Sequence, residues 1–143
     1  MGKFPSNCQG FPPGSPSHKH PTMHLTGYAS IFHVKDLAKD IVHPGAFRNL
    51  KLPLPLKWGH EKIIGVVNDA YEDAIGLFIH ARVDDPMAIQ IINHGKVNHL
   101  SIGYRALGFT RDDNTRYLNL IDMVEVSVVF NPCQPLARFW VDN

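Results

Sequence analysis

Leu100 to Thr110 (LSIGYRALGFT) and Tyr117 to Phe130 (YLNLIDMVEVSVVF) are two long β-rich runs, separated by the polar stretch Arg111-Asp112-Asp113-Asn114-Thr115. Branched and aromatic residues bounded by turn chemistry read as paired strands. On both sides of this pair the pattern repeats. Lys62 to Ala70 (KIIGVVNDA) and Ile75 to Val83 (IGLFIHARV) flank Tyr71-Glu72-Asp73-Ala74 as a second antiparallel hairpin. His24 to Phe32 forms a first strand and Leu136 to Val141 a last one. Pro53 to His60 alternates, so an extended backbone would put Leu54, Leu56, Trp58 and His60 on one face, with the prolines holding the segment at an edge. Helical signals are sparse. Pro86 to His94 (PMAIQIINH) has Pro at its start, Ala88, Ile91 and Ile92 at helical spacing, and Gly95 after its end. Pro44 to Leu50 reads as a single helical turn. Many strands, few helices and frequent Gly/Pro turns predict a mainly β fold: a closed or nearly closed antiparallel barrel with one or two helices packed outside.

Composition sets the outer bounds. The 143 residues include 14 Lys and Arg against 13 Asp and Glu, a formal charge of +1. One core is feasible at this length without disulfide or metal staples. The near-zero charge gives no electrostatic reason to expect a nucleic-acid or anionic-membrane partner. No apolar run is long enough to cross a bilayer or to serve as a signal peptide, so the chain is expected to be soluble and intracellular. Cys8 and Cys133 do not make a disulfide framework. Met1-Gly2-Lys3-Phe4-Pro5-Ser6 matches the N-myristoylation pattern only formally, and is read as chance. Residues 1–22 carry Pro5, Pro12, Pro13, Pro16 and Pro21 among Gly, Ser and Asn, and are expected to be a flexible arm ahead of a barrel domain spanning 23–143. His18, His20 and His24 lack Cys or carboxylate companions at ligand spacing and read as part of that arm, not as a metal cluster.

Three polar residues stand where a core argument wants apolar ones. Glu125 lies within Met123-Val124-Glu125-Val126-Ser127-Val128-Val129-Phe130, apolar on both faces, where an unpaired carboxylate would cost several kcal/mol. Ser101 lies inside a strand with Gly103 two residues on, which leaves room on that face. His60 follows Trp58. Hydroxyl, imidazole and carboxylate are the parts of a nucleophile, base and orienter set, and the chemistry they imply is acyl transfer. Each also has a plainer reading: a half-exposed His, a strand Ser facing solvent, a Glu on a wet edge. Cys133 is a weaker nucleophile candidate, since no His is near it in sequence. A His-dependent metal hydrolase would need convergent ligands that the spacing does not supply.

Gly27-Tyr28-Ala29-Ser30-Ile31-Phe32, Asp40-Ile41-Val42-His43-Pro44-Gly45-Ala46-Phe47, Leu56-Lys57-Trp58-Gly59-His60, Ile64-Gly65-Val66-Val67, Asp73-Ala74-Ile75-Gly76-Leu77, Leu100-Ser101-Ile102-Gly103-Tyr104 and Val124-Glu125-Val126-Ser127-Val128-Val129 occur in that order. Together they resemble the tailed-phage prohead maturation proteases of the HK97 type, over roughly Gly27 to Ala137. The resemblance implies a serine endopeptidase with an antiparallel β-barrel of the herpesvirus-protease type and flanking short helices. By the family pattern His60 is the general base, Ser101 the nucleophile and Glu125 the third member. It implies no cofactor and no metal. The implied partners are the major capsid protein with its scaffolding segment and the protease itself, by self-cleavage and possible self-association. The implied place of action is the host cytoplasm, inside the procapsid.

This chain departs from the pattern in two places. Gly59 stands where relatives usually carry Gln or a similar residue, and Asn131-Pro132-Cys133-Gln134-Pro135 replaces the usual Pro-Ala-Asn-Pro. By analogy with the herpesvirus enzymes, the oxyanion hole would be a backbone N–H near Cys133 or Gln134. The chain also stops at Asn143, with little of the C-terminal extension that many relatives have, as a naturally short or a processed form would. The altered segments leave a second reading open: a catalytically inactive barrel acting as a capsid-assembly or scaffold-binding module.

Overall fold

The fold is described by a computed structural model over residues 21–142, so the expectations for Cys8, His18, His20 and nearly all of the Pro-rich segment fall outside the described residues. The β-rich runs become strands in the order β1 (Met23–Ile31), β2 (Asp40–Val42), β3 (Leu54–Trp58), β4 (Lys62–Glu72) and β5 (Gly76–Val83). After helix α1 (Pro86–Asn93) come β6 (His99–Asp112), β7 (Thr115–Val129) and β8 (Phe139–Asp142).

One sheet contains all eight strands, in the order β2-β7-β3-β4-β5-β1-β8, with β6 on the other edge of β7. Strand β7 is the spine. Antiparallel β6 runs along one edge of it, from Asp112 opposite Thr115 to His99 opposite Val129. Its other edge carries two short strands in parallel register, β2 at Arg116–Leu118 and β3 at Val126–Val128. The expectation of an antiparallel barrel, closed or nearly closed, is therefore corrected in its strand directions by these parallel pairings, and the sheet does not close. No continuous ladder joins β6 to β8. Between them lie only the isolated bridge His99–Arg138 and two hydrogen bonds, Leu100 N–H to Ala137 O (3.0 Å) and Phe139 N–H to Asn98 O (3.0 Å). The physical reason is in the connecting segment: Pro132 and Pro135 have no N–H to give to a ladder, so the chain crosses the gap in bends and turns.

A single α-helix occurs among the described residues. Asp85 caps it, accepting a hydrogen bond from Ala88 N–H at 3.0 Å, Pro86 occupies its first turn, and Ala88 and Ile92 are buried. The expected helical turn at Pro44–Leu50 is instead a string of tight turns, with Ala46 N–H on His43 O, Arg48 N–H on Gly45 O and Leu50 N–H on Phe47 O. Gly45 at φ +89 interrupts the helical path, and the Glu72 carboxylate takes the free N–H groups of Gly45 (2.7 Å) and Phe47 (2.9 Å).

Leu25, Leu56, Val67, Leu77, Ile79, Leu100, Leu118 and Val126 are almost fully buried and come from every long strand. Each is worth about 1.5–3 kcal/mol in removal from water. This core holds β3, β6 and β7 in fixed register, and the candidate site is built on that register.

Candidate active site

In the β6–β7 ladder Ser101 is opposite Ser127 and Gly103 is opposite Glu125. Opposed residues of an antiparallel pair point to the same side of the sheet, as do residues two apart on one strand. Ser101, Gly103, Glu125 and Ser127 therefore share one face, while Leu100, Val126 and Val128 fill the core on the other. The space left by the missing side chain at Gly103 is occupied by Glu125: a Cβ there would meet the carboxylate oxygen and come within 2.7 Å of its carbon.

His60 reaches this face from β3. The alternation of Leu54, Leu56 and Trp58 onto the core holds, but His60 does not continue it. Gly59 (φ +57) and His60 (φ +66) are both left-handed, so the chain turns out of the strand just before the imidazole. Gly59 N–H donates to Val128 O at 3.0 Å, which ties the turn to β7. His60 Nδ1 lies 2.6 Å from Glu125 Oε2. Side-chain exposure is 44% for His60 and 6% for Glu125, so the carboxylate is buried and the ring opens to solvent. With Nδ1 engaged by the carboxylate, Nε2 is the ring nitrogen free for a substrate or nucleophile.

Ser127, within the run 124–129, is a further polar residue of the site that local patterning does not single out. Its hydroxyl donates to Glu125 Oε1 at 2.8 Å and accepts from His60 N–H at 2.8 Å, and the residue has no exposed surface. A polar residue two positions from Glu125 on the same strand face was the signal available. Among the described residues Ser101 Oγ has no hydrogen-bond partner, and Ser101 is 9% exposed. The structure thus bonds His60 to Glu125 and sets Ser101 on the same face, opposite Ser127.

Cys133 and Gln134 lie in the segment between β7 and β8. They line a cavity of about 70 Å³ together with Ser30, Asp36, Ser101 and Tyr104. Cys133 O accepts from Leu37 N–H (2.9 Å) and Gln134 O from Ala137 N–H (3.0 Å). The Gln134 side chain accepts from Ile31 N–H at 2.6 Å and donates to Ile31 O (3.0 Å) and Val34 O (3.3 Å). Among the described residues neither backbone N–H of this pair is engaged. Burial, with the nearby Asp36 charge, pushes the Cys133 thiol up, away from thiolate character.

Next to the cavity Asp40 is buried beneath Arg116, which donates Nε to Oδ1 and Nη2 to Oδ2, each at 2.9 Å, while Tyr104 OH donates to Oδ2 at 2.9 Å. Burial alone would raise the Asp40 carboxyl, but the guanidinium and the phenol hold it below the usual carboxylate range. The Tyr104 hydroxyl is pushed up, by burial first and then by Asp40. Among the described residues no three His, Cys, Asp or Glu side chains converge on a point that could hold a metal ion. No helix there is long and apolar enough to cross a membrane.

The family described as caudovirus prohead serine protease matches residues 15–141. The prohead protease of Escherichia phage T5 is 28% identical over 135 residues, which is 85% of this chain and 63% of that protein. The chain therefore spans less than two thirds of that curated relative. Among solved structures, the KSHV protease in complex with a hexapeptide phosphonate inhibitor is similar with a TM-score of 0.65 and 13% identity, covering 86% of this chain and 66% of that one. The varicella-zoster virus protease has a TM-score of 0.59 and 12% identity, covering 85% and 64%. At such identities the likeness is one of fold.

Proposed function

The chain belongs to the caudovirus prohead serine protease family, and from that premise we propose that it is a serine endopeptidase with Ser101 as nucleophile, His60 as general base and Glu125 as the group that orients the imidazole. The observation that carries the reading is the 2.6 Å contact of His60 Nδ1 with the buried Glu125 carboxylate, on the sheet face that Ser101 shares. That contact holds the tautomer with the proton on Nδ1, which leaves Nε2 to take the Ser101 proton as Oγ attacks the scissile carbonyl. The resulting imidazolium is stabilised by Glu125, and its Nε2 proton goes to the leaving amine. Water then repeats the sequence on the acyl-enzyme. Ser101 is one cross-strand step, about 5 Å between Cβ atoms, from the hydroxyl that holds the His60 main chain. Hydrogen bonds between nucleophile and base are commonly long in unliganded enzymes and tighten once substrate is bound.

The unengaged backbone N–H groups of Cys133 and Gln134 are the candidates for stabilising the oxyanion. The proposed substrates are the scaffolding segment of the major capsid protein and the protease itself, cut inside the procapsid. The test is reaction with a fluorophosphonate probe together with mass spectrometry of co-expressed capsid protein. Wild-type chain is expected to be labelled and to yield a processed capsid protein, and Ser101→Ala neither. Equal labelling in both would overturn the assignment. The altered Gly59 and 131–135 segments keep open a second reading, an inactive protease-like fold that assists capsid assembly. That reading requires unprocessed capsid protein that assembles only when this chain is present.

A further inference from the structure

Ser127 Oγ is placed between two groups that matter to the proposed chemistry for different reasons. It donates to Glu125 Oε1 at 2.8 Å and accepts from His60 N–H at 2.8 Å. A serine hydroxyl has one proton to give and two lone pairs to offer, so both bonds are made at once. The carboxylate is then held at both oxygens, Oε1 by Ser127 and Oε2 by the ring of His60. A closed loop results, in which one hydroxyl fixes the main chain of the histidine and the acid that its ring bonds to.

We propose that Ser127 is a positioning residue for the imidazole, an inference that rests on the reading of His60, Ser101 and Glu125 given above. The terminal torsion of a glutamate side chain is soft and roughly two-fold, so a carboxylate held at one oxygen rotates. Fixing Oε1 removes that freedom and keeps Oε2 aimed at Nδ1. The second bond acts on the backbone. His60 has a φ of +66, a conformation that L-residues rarely adopt, and the bond to Ser127 holds it there. Since Ser127 is fully buried, water cannot replace either bond when the hydroxyl is removed.

The experiment follows the inactivation rate and the binding constant of a fluorophosphonate probe in wild type, Ser127→Ala, Ser127→Thr, Glu125→Gln and the Ser127→Ala/Glu125→Gln pair, with Ser101→Ala as reference. Ser127→Ala is expected to slow the bonding step about 10–100-fold with probe binding within about two-fold, since a misplaced catalytic group costs rate more than affinity. Ser127→Thr, which keeps the hydroxyl, is expected to recover most of that rate. In the Glu125→Gln background the further loss is expected to be smaller than in wild type, because the part that runs through the carboxylate is already gone and only the hold on the His60 main chain remains. A far-downfield proton resonance from His60 Nδ1–H is expected in wild type and Ser127→Thr, and to broaden or vanish in Ser127→Ala. Equal losses in both backgrounds, a loss confined to probe binding, or an unchanged resonance would overturn the proposal. If Ser127→Ala does not fold, the same resonance and rate in Ser127→Thr and Ser127→Cys decide, the thiol being expected to fall below the hydroxyl. Labelling that persists in Ser101→Ala overturns the nucleophile reading instead, and the His60 resonance still reports on Ser127.

Discussion

Gly103 faces Glu125 across the β6–β7 ladder, and the carboxylate fills the volume where a side chain at 103 would stand. An added methyl group meets the carboxyl group and Cγ of that buried side chain, so the carboxylate has to shift. The carboxylate cannot swing aside and still hold His60 Nδ1 and Ser127 Oγ. Gly103→Ala is expected to lose at least about ten-fold in probe reaction rate and about 1–3 kcal/mol of stability, measured by denaturant unfolding.

Gly59 precedes His60 with φ +57, and nothing lies within 4 Å of where its Cβ would be. The obstacle to a side chain there is conformational, not steric crowding. Gly59→Ala is expected to cost about 1 kcal/mol in stability and to move His60 away from Glu125. Thermal unfolding and probe labelling measure the two effects.

The Asp40 carboxyl is held below its ordinary range despite its burial, by Arg116 and Tyr104. A carboxyl whose folded pKa is depressed contributes stability that is full above its unfolded pKa, about 3.9, and is lost as pH falls toward the folded value. Stability measured from pH 7 downward is expected to fall below about pH 4 more steeply in wild type than in Asp40→Asn. At pH 7 that variant is expected to be roughly 1.5–3 kcal/mol less stable.

Gln134 holds Ile31 and Val34 with its side-chain amide, at the point where the sheet fails to close. Gln134→Ala is expected to cost about 1–3 kcal/mol, since the Ile31 groups are left without partners. Gln134→Glu keeps an acceptor for Ile31 N–H but turns an oxygen toward two carbonyls, so it is expected to be no better than alanine near neutral pH. Denaturant midpoints order the three proteins.

Much of this architecture could be read locally. The β6–β7 and β4–β5 hairpins announce themselves by β-rich runs around polar turns, and α1 by Pro86, the spacing of Ala88, Ile91 and Ile92, and Gly95. What escaped has no local signature. Strand β2 is three residues long, too short for any periodicity, and it exists because β7 offers it an edge. The parallel pairing of β3 with β7 joins segments far apart in sequence. The closed barrel fails because of two prolines whose position in the gap only the fold reveals.

At the site, Ser101, Glu125 and His60 were noticeable because polar groups interrupt apolar runs. The sequence could not show that His60 leaves the β3 alternation through a left-handed turn, since that depends on Gly59 bonding to Val128. Gln134 drew attention for its backbone, while its side chain turned out to be committed to residues about a hundred positions earlier. Ser127 looked like one more small residue in a valine-rich strand until its two partners were placed beside it.

Leu25 pairs with Val141, and Trp58 with Val128, so the earliest strands wait for the latest ones. During synthesis on the ribosome, a chain that has emerged only as far as β5 holds the imidazole but neither the alcohol nor the acid. Such wiring of distant segments slows folding, and on the proposed reading of the site a fragment ending before β7 would lack the carboxylate that the reaction needs.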